Sequence, residues 1–319
     1  MSDFRFQKFT LYLLGLLLVS HAVHASDYRR NYLVNRVLIP VSSADATAYA
    51  IDLNGDGHAD NNLGYVFAAL ASQGLDLTGG TNAAIANGSV VHRMDLQSTD
   101  ATFSSDPAAM ASWCVGHVLS RPPLFDGTDQ ATCDSDYAPG VFLAALSGGS
   151  FTSANPATTT TPVALTISIA IGPEAIELPV QGARLSFTSD NSGPGHLQGQ
   201  INGSVRHDDI QTKVLPAMAA AFNSIIQSDP GSSTAIDLLK FFDSGCIGNP
   251  AFAKDGQIEI CELYENALIS TLLAPDVQIW DSGGNYAPNP ANTNPDSNSL
   301  GFRFAAVLSD RVFANGFEP

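Results

Sequence analysis

Four oxygen-bearing side chains and a glycine fall within nine residues of the segment IDLNGDGHADNNLG, which runs from residue 51 to residue 64. Carboxylates this close together repel one another unless a cation lies between them. A calcium ion takes about six to eight oxygen ligands at ~2.4 Å, and alternating positions of a loop can supply them around a glycine turn. The candidate ligands are the side chains of Asp52, Asn54, Asp56 and Asp60 and the backbone carbonyl of His58.

This first loop, residues 52–63, has the spacing D-x-N-x-D-G-x-x-D and resembles the calcium loops of EF-hand proteins. It departs from that family at the last position, where Leu63 stands in place of a bidentate glutamate. The preceding segment, ATAYAID, is also predicted to be a strand and not a helix. The loop is therefore more similar to those of dockerins and related secreted bacterial proteins. The missing ligand would come from elsewhere in the chain or from water, and an ordinary Asp/Asn/Gly surface turn is the alternative.

A second loop resembles the latter half of an EF-hand loop and follows a predicted helix that ends FFD. Asp255 and Gly256 match the middle of such a loop, and Glu262 matches the closing bidentate ligand. If Asp243 is the first ligand, the loop spans 20 residues and contains an insertion of eight. A helix-loop-helix that has lost its ion is the alternative. The candidate ligands are Asp243, Asp255, Gln257, Glu259 and Glu262.

The whole chain resembles a group of secreted Gram-negative bacterial proteins of unknown function. They share DLNGDGxxDNxLG near the start, a β-rich middle, and DGxIxxxEL followed by PDV near the end. The resemblance implies calcium binding and export, and it implies no reaction. The ending VFANGFEP is similar to the FxxGFE endings of exported proteins in some gammaproteobacteria, which implies a sorting or processing signal. A strand end with a glycine turn is the alternative.

The four cysteines are even in number, which in an exported chain indicates disulfides. They are Cys114, Cys133, Cys246 and Cys261. Three pairings are possible. We expect the two local pairs, Cys114–Cys133 and Cys246–Cys261, because short loops close with little loss of entropy. Four reduced, buried thiols are the alternative.

The N-terminus has the pattern of a signal peptide over residues 1–25. Arg5 and Lys8 precede the apolar stretch FTLYLLGLLLV, which is too short to span a bilayer as a helix, and VHA ends at Ala25 with small residues. An uncleaved anchor is the alternative. We therefore expect a secreted, periplasmic or outer-surface protein with no transmembrane segment after cleavage.

The chain is strongly acidic. Cleavage before Ser26 removes Asp3, Arg5 and Lys8, so the formal charge changes from −17 to −18. This charge argues against nucleic acid and against anionic membrane surfaces as partners.

The elements predict an α+β fold built on an antiparallel, sandwich-like sheet. VALTISIAIG and GHLQGQINGSVR alternate as half-buried strands do, whereas NNLGYVFAALASQ has helical spacing before Gly74. We expect a β-rich domain at 26–206, an EF-hand-like helical segment at 207–285, and a polar tail with a return strand at 286–319.

Catalytic signatures are mostly missing from the sequence. There is no HExxH, GxSxG or P-loop pattern, and the histidines lack zinc spacing. We therefore predict an exported calcium-binding protein in which Ca²⁺ is structural, with a role in binding or surface display and an extracellular glycan or protein as candidate ligand. A calcium-supported extracellular hydrolase acting on glycans or phosphoesters is the alternative, and a structural envelope component is a third.

Overall fold

The computed structural model describes residues 28–172, 174–190, 195–248 and 254–310. The predicted signal peptide and the VFANGFEP ending lie outside these residues. The described strands are β1 (Tyr28–Leu38), β2 (His92–Ser98), β3 (Ser105–Val118), β4 (Ala131–Cys133), β5 (Gly140–Ser147), β6 (Ser150–Thr152), β7 (Leu165–Ile171), β8 (Glu174–Asp190), β9 (His196–Arg206) and β10 (Ser297–Asp310).

These strands form one antiparallel sheet in the order β2-β1-β10-β9-β8-β6-β5-β3-β4. β2 also pairs with β3, so eight of the strands close into a ring, while β4 and β7 pair outside it with β3 and β8. The prediction of a large antiparallel sheet is confirmed. The sheet closes on itself and does not form two facing layers, so each of the eight strands has a hydrogen-bonded neighbour on both sides.

The interior of the ring is filled by large apolar side chains. Trp113 on β3 and Phe304 on β10 meet across it with ring centroids 5.1 Å apart. Gly199 on β9 leaves the space that the Phe304 ring occupies, since a Cβ there would lie 2.5 Å from the ring. The alternation of apolar residues along each strand thus provides the core that holds the ring together.

Helices occupy the stretch predicted before Gly74 and several parts of the segment 207–285, and two further helices, Ser43–Ala48 and Leu77–Asn87, were not predicted. They are α1 (Ser43–Ala48), α2 (Asn62–Ser72), α3 (Leu77–Asn87), α4 (His207–Asp209), α5 (Leu215–Ser228), α6 (Ser233–Phe242), α7 (Ile260–Glu265) and α8 (Ala267–Leu272). A π-helical turn, Ile210–Val214, joins α4 to α5 just before Pro216. In the described residues no helix combines the length and the apolar composition needed to cross a membrane.

The segment ATAYAID is not the strand that its alternation predicts. Residues Ser43–Ala48 form α1, because Ser42 caps the helix by accepting the N–H of Asp45 at 3.2 Å and donating its hydroxyl to the Asp45 carboxylate at 2.7 Å. A local cap therefore outweighs a weak strand pattern.

Both disulfides pair as predicted. Cys114 on β3 bonds to Cys133 on β4, and Cys246 bonds to Cys261, with Cα atoms 5.7 Å apart in each pair. The first bridge fastens the short β4 to the ring, and the second closes the 243–262 loop.

The return strand predicted in the tail is β10. It lies between β1 and β9, so the last described element of the chain is in the middle of the sheet.

Candidate metal loops

The first loop connects α1 to α2 and is closed at its base by the backbone. Ile51 and Asp60 form an isolated antiparallel bridge, with the Asp60 N–H donating to the Ile51 carbonyl at 2.8 Å. Leu53 is buried in a small apolar cluster with Val277 and Ile279. These contacts hold the loop against the segment that leads into β10.

Within the first loop, the side-chain oxygens of three residues accept backbone N–H groups of the same loop. Asp52 Oδ2 accepts from Gly57 at 3.0 Å, and Asp56 Oδ1 accepts from His58 at 2.7 Å. Asn54 Oδ1 accepts from the Asp56 N–H at 3.1 Å. Gly57 has a φ of +87°, a backbone conformation that favours glycine. The arrangement gathers the predicted ligands into one tight turn.

Asp60 is the most perturbed carboxyl of this loop. Its Oδ2 accepts the Leu53 N–H at 2.8 Å. Burial raises the pKa of Asp60 to about 7, and the negative charges of Asp276, Asp56 and Asp52 add to that rise. A cation beside these groups would reverse the effect, since it stabilises the charged form.

Asp276 is a residue of this site that the sequence motifs did not predict. It follows α8, where its carboxylate accepts the N–H of Ser299 at 2.8 Å and also the Ser299 hydroxyl. The same hydroxyl accepts the N–H of Asn62 at 2.6 Å, which links Asp276 to the end of the first loop. Burial raises the pKa of Asp276. The PDV segment near the end of the chain was the available signal.

The second loop repeats two hydrogen bonds of the first. Asp243 Oδ2 accepts the N–H of Gly256 at 3.0 Å, as Asp52 does from Gly57. Asp255 Oδ1 accepts the N–H of Gln257 at 3.0 Å, the same two-residue spacing as Asp56 and His58. Gly256 also has a φ of +87°. The two loops thus share these hydrogen bonds, with Asp243 in the place of Asp52 and Asp255 in the place of Asp56.

Two acidic side chains of the second loop are buried. Glu262 is 1 % exposed and accepts the N–H groups of Gly245 and Glu259, the latter at 2.9 Å. Asp243 is 9 % exposed, and its Oδ1 is buried with no hydrogen-bond partner among the described residues. Residues 249–253 of the insertion lie outside the described residues.

Ile258 anchors the second loop, as its apolar character predicts. It is 1 % exposed, and its N–H donates to Asn223 Oδ1 at 2.8 Å. The Asn223 amide in turn donates to the Ile258 carbonyl at 2.9 Å. Since Asn223 lies on α5, the loop is tied to the helix that packs against it.

The candidate ligands lie in the same two loops, but their side chains do not surround one common position in either loop. Across the part of the chain that the structure describes, no three His, Cys, Asp or Glu side chains are grouped closely enough to ligate one ion. In both loops the carboxylates accept backbone N–H groups instead. The donors still fit calcium in kind, since all are oxygen atoms, and the buried Oδ1 of Asp243 has no partner among the described residues.

Three comparisons with known proteins found no match to this chain. No protein-family model matches the chain, and neither a curated protein nor a solved structure is significantly similar to it.

Proposed function

We propose that this is an exported calcium-binding protein in which Ca²⁺ is structural, with a role in binding or surface display. The observation that carries the proposal is the buried Oδ1 of Asp243, which has no described partner and belongs to the same loop as the buried Glu262. Burying an ionised carboxylate without compensation costs roughly several kcal/mol. A cation held in this loop would remove that cost.

The EF-hand-like reading of the two loops supports the same proposal. In the second loop Asp243, Asp255, Glu259 and Glu262 would hold the ion with the Gln257 carbonyl. In the first, the side chains of Asp52, Asn54, Asp56 and Asp60 would do so with the His58 carbonyl. Bound Ca²⁺ would neutralise carboxylates that otherwise repel one another, and the loops would then be fastened to α2, α5 and β10.

Export is supported by three observations that point the same way. The two disulfides are typical of proteins that fold outside the cytoplasm. The N-terminal segment has the signal-peptide pattern. Calcium is abundant outside cells, where a Kd of ~10⁻⁴ M would keep such a site filled.

The test is a thermal melt and a calorimetric calcium titration of wild type, Asp243→Asn and the matched control Asp237→Asn, an exposed aspartate of α6. We expect one or two sites in the wild type. At a calcium concentration tenfold above Kd, the ion should stabilise the fold by about 1.4 kcal/mol. Asp243→Asn should lose the second site, and Asp237→Asn should bind as the wild type does.

The same variants separate lost binding from lost folding. In EGTA, Asp243→Asn should be at least as stable as the wild type, because it removes an uncompensated buried charge. In calcium the order should reverse. Absence of any binding at millimolar calcium would overturn the proposal.

The hydrolase alternative has one structural observation in its favour, the carboxyl pair Asp60 and Asp276. Both have raised pKa values, as a general acid needs. Release of sugar or phosphate from an oligosaccharide or phosphoester, abolished by Asp276→Asn, would favour the enzyme over the binding protein.

A further inference from the structure

A polar groove of about 530 Å³ crosses the outer face of β1, β10, β9, β8 and β6. With neighbouring strands ~4.8 Å apart, five strands give a span of about 19 Å. This volume lies within the usual range of small-ligand sites, about 300–1,000 Å³. The span is that of a short oligomeric ligand laid across the strands.

The strand register arranges the groove as two parallel rows of outward-facing side chains. One row reads Arg36, Ala305, Gln198, Thr188 and Ser150, each directly opposite the next on the neighbouring strand. The other row reads Leu38, Arg303, Gln200, Ser186 and Thr152. Each row therefore carries one guanidinium, at the end of the first row and next to Leu38 in the second, followed by an amide in the middle and two hydroxyls at the other end.

The groove has the opposite charge to the rest of the molecule. The chain has 31 acidic residues, yet none of those that the structure describes lines the groove. Neither Arg36 nor Arg303 is in the ion pairs that the described residues form, which involve Arg29, Arg93 and Lys213. Two guanidinium groups without carboxylate partners thus face solvent in an acidic protein.

The two arginines are close enough to act on one anionic group. Arg36 is opposite Ala305, and Arg303 is two residues from Ala305 on the same strand. Such diagonal neighbours are ~7–8 Å apart at their backbones, within reach of long side chains. Arg303 is also positioned by its stacking on Tyr49, 4.5 Å from guanidinium carbon to ring centroid. A planar carboxylate matches the geometry of a guanidinium group, which can bind both of its oxygens.

The backbone under the groove is closed to peptide strands. Each of the five strands is hydrogen-bonded to a neighbour on both sides. A peptide could not add as a further strand, so a ligand must be recognised by side chains alone. The amides and hydroxyls of both rows offer donors and acceptors to a ligand rich in hydroxyl groups.

We propose that this groove binds a carboxylated oligosaccharide, with Arg36 and Arg303 on a uronate carboxylate and the Gln and hydroxyl side chains on the sugar hydroxyls. The proposal names a ligand for the binding role above and rests on that role. It does not require the calcium ion to touch the ligand.

The test is calorimetric titration with trigalacturonate, its methyl ester and triglutamate, in calcium and again in EGTA. We expect one site for trigalacturonate, with affinity falling about tenfold or more for the methyl ester and for Arg36→Gln or Arg303→Gln. Thr188→Glu, which keeps both arginines but adds a carboxylate to the groove, should weaken binding as much. Arg121→Gln, an exposed arginine outside the groove, is the matched control.

The outcomes separate this proposal from that of calcium binding. Arginine-dependent trigalacturonate binding without any calcium site would support the groove and overturn the metal. Failure of trigalacturonate to bind, or binding that both arginine variants and Thr188→Glu leave unchanged, would overturn the groove. Equal, arginine-dependent binding of triglutamate would also overturn it and assign an acidic peptide instead.

Discussion

Asn223 holds both backbone polar groups of Ile258, accepting its N–H at 2.8 Å and donating to its carbonyl at 2.9 Å. These two hydrogen bonds tie the backbone of the second loop to α5.

Replacement of Asn223 by alanine should therefore destabilise the protein. It removes two hydrogen bonds and leaves polar backbone groups of a buried residue without partners, a loss of about 2–4 kcal/mol. Chemical denaturation measures the change. Gln227→Ala, an exposed amide on the same helix, should change stability by less than about 0.5 kcal/mol. Equal stability of the two variants would show that the Asn223 contacts contribute nothing.

Asn61 should be as sensitive, because it joins three elements. Its Oδ1 accepts the N–H of Gly64 in α2 at 3.1 Å and that of Gly301 in β10 at 2.7 Å, and its amide donates to Ala46 of α1 at 2.9 Å. Asn61→Ala should lower the free energy of unfolding by about 2–4 kcal/mol, because it removes the N-cap of α2 and leaves the buried N–H of Gly301 without its acceptor. Gln73→Ala at the other end of α2 is the control. Urea unfolding measures the stability of both variants, and only Asn61→Ala should be destabilised.

His92 should contribute a loss of stability as the pH drops below neutrality. The raised pKa of Asp60 acts in the opposite direction over the same range, so the His92 contribution is read from the difference between the wild type and His92→Gln. This fully buried imidazole accepts the N–H of Ser168 on Nε2 at 2.9 Å, and burial lowers its pKa to about 4. The unfolded chain has an ordinary histidine pKa of ~6.5, so it binds the proton first as pH falls. The stabilisation is complete above ~6.5 and is lost progressively toward pH 4, by about 2 kcal/mol at pH 5.

The comparison for His92 is a pair of variants. His92→Gln keeps an acceptor for Ser168 but cannot titrate, so its stability relative to that of the wild type should rise as the pH falls from 6.5 to 4, by about 2 kcal/mol at pH 5. His196→Gln, at an exposed histidine, should follow the wild type. A wild-type pH profile shared by His92→Gln would contradict the assignment.

Asp276→Asn should lower the pKa of Asp60, because it removes the negative charge that repels the Asp60 carboxylate most strongly. The pKa should stay above the ordinary value, since burial is the main cause of the rise. Carboxyl-detected NMR titration of the calcium-free protein measures this. Loss of the negative charge should also weaken calcium at the first loop, and Asp237→Asn serves as the control for both readouts.

The elements that sequence patterns predict well are those fixed by local chemistry. The helical spacing before Gly74 predicts α2, and alternation predicts β7 and β9. Short-range entropy predicts both disulfides. In each case the residues that decide the structure are close together in the chain.

Other features depend on partners far along the chain. Closure of the ring rests on the pairing of β2 with β3 while both keep a second neighbour, and alternation says nothing about neighbours. Asp276 lies beside the first loop only because Ser299 and Asn62 meet there. The Asn223 contact likewise needs the docking of α5. The residue spacing within the two loops does not predict these contacts.

The position of β10 has a consequence for how the protein is made. β1 and β9 are both synthesised long before β10, yet neither can complete its pairing until residues 297–310 have left the ribosome. The ring of strands therefore cannot close until residues 297–310 have been synthesised. Long-range strand pairing of this kind is also slow. The strand that completes the ring is thus also the last described strand to be made.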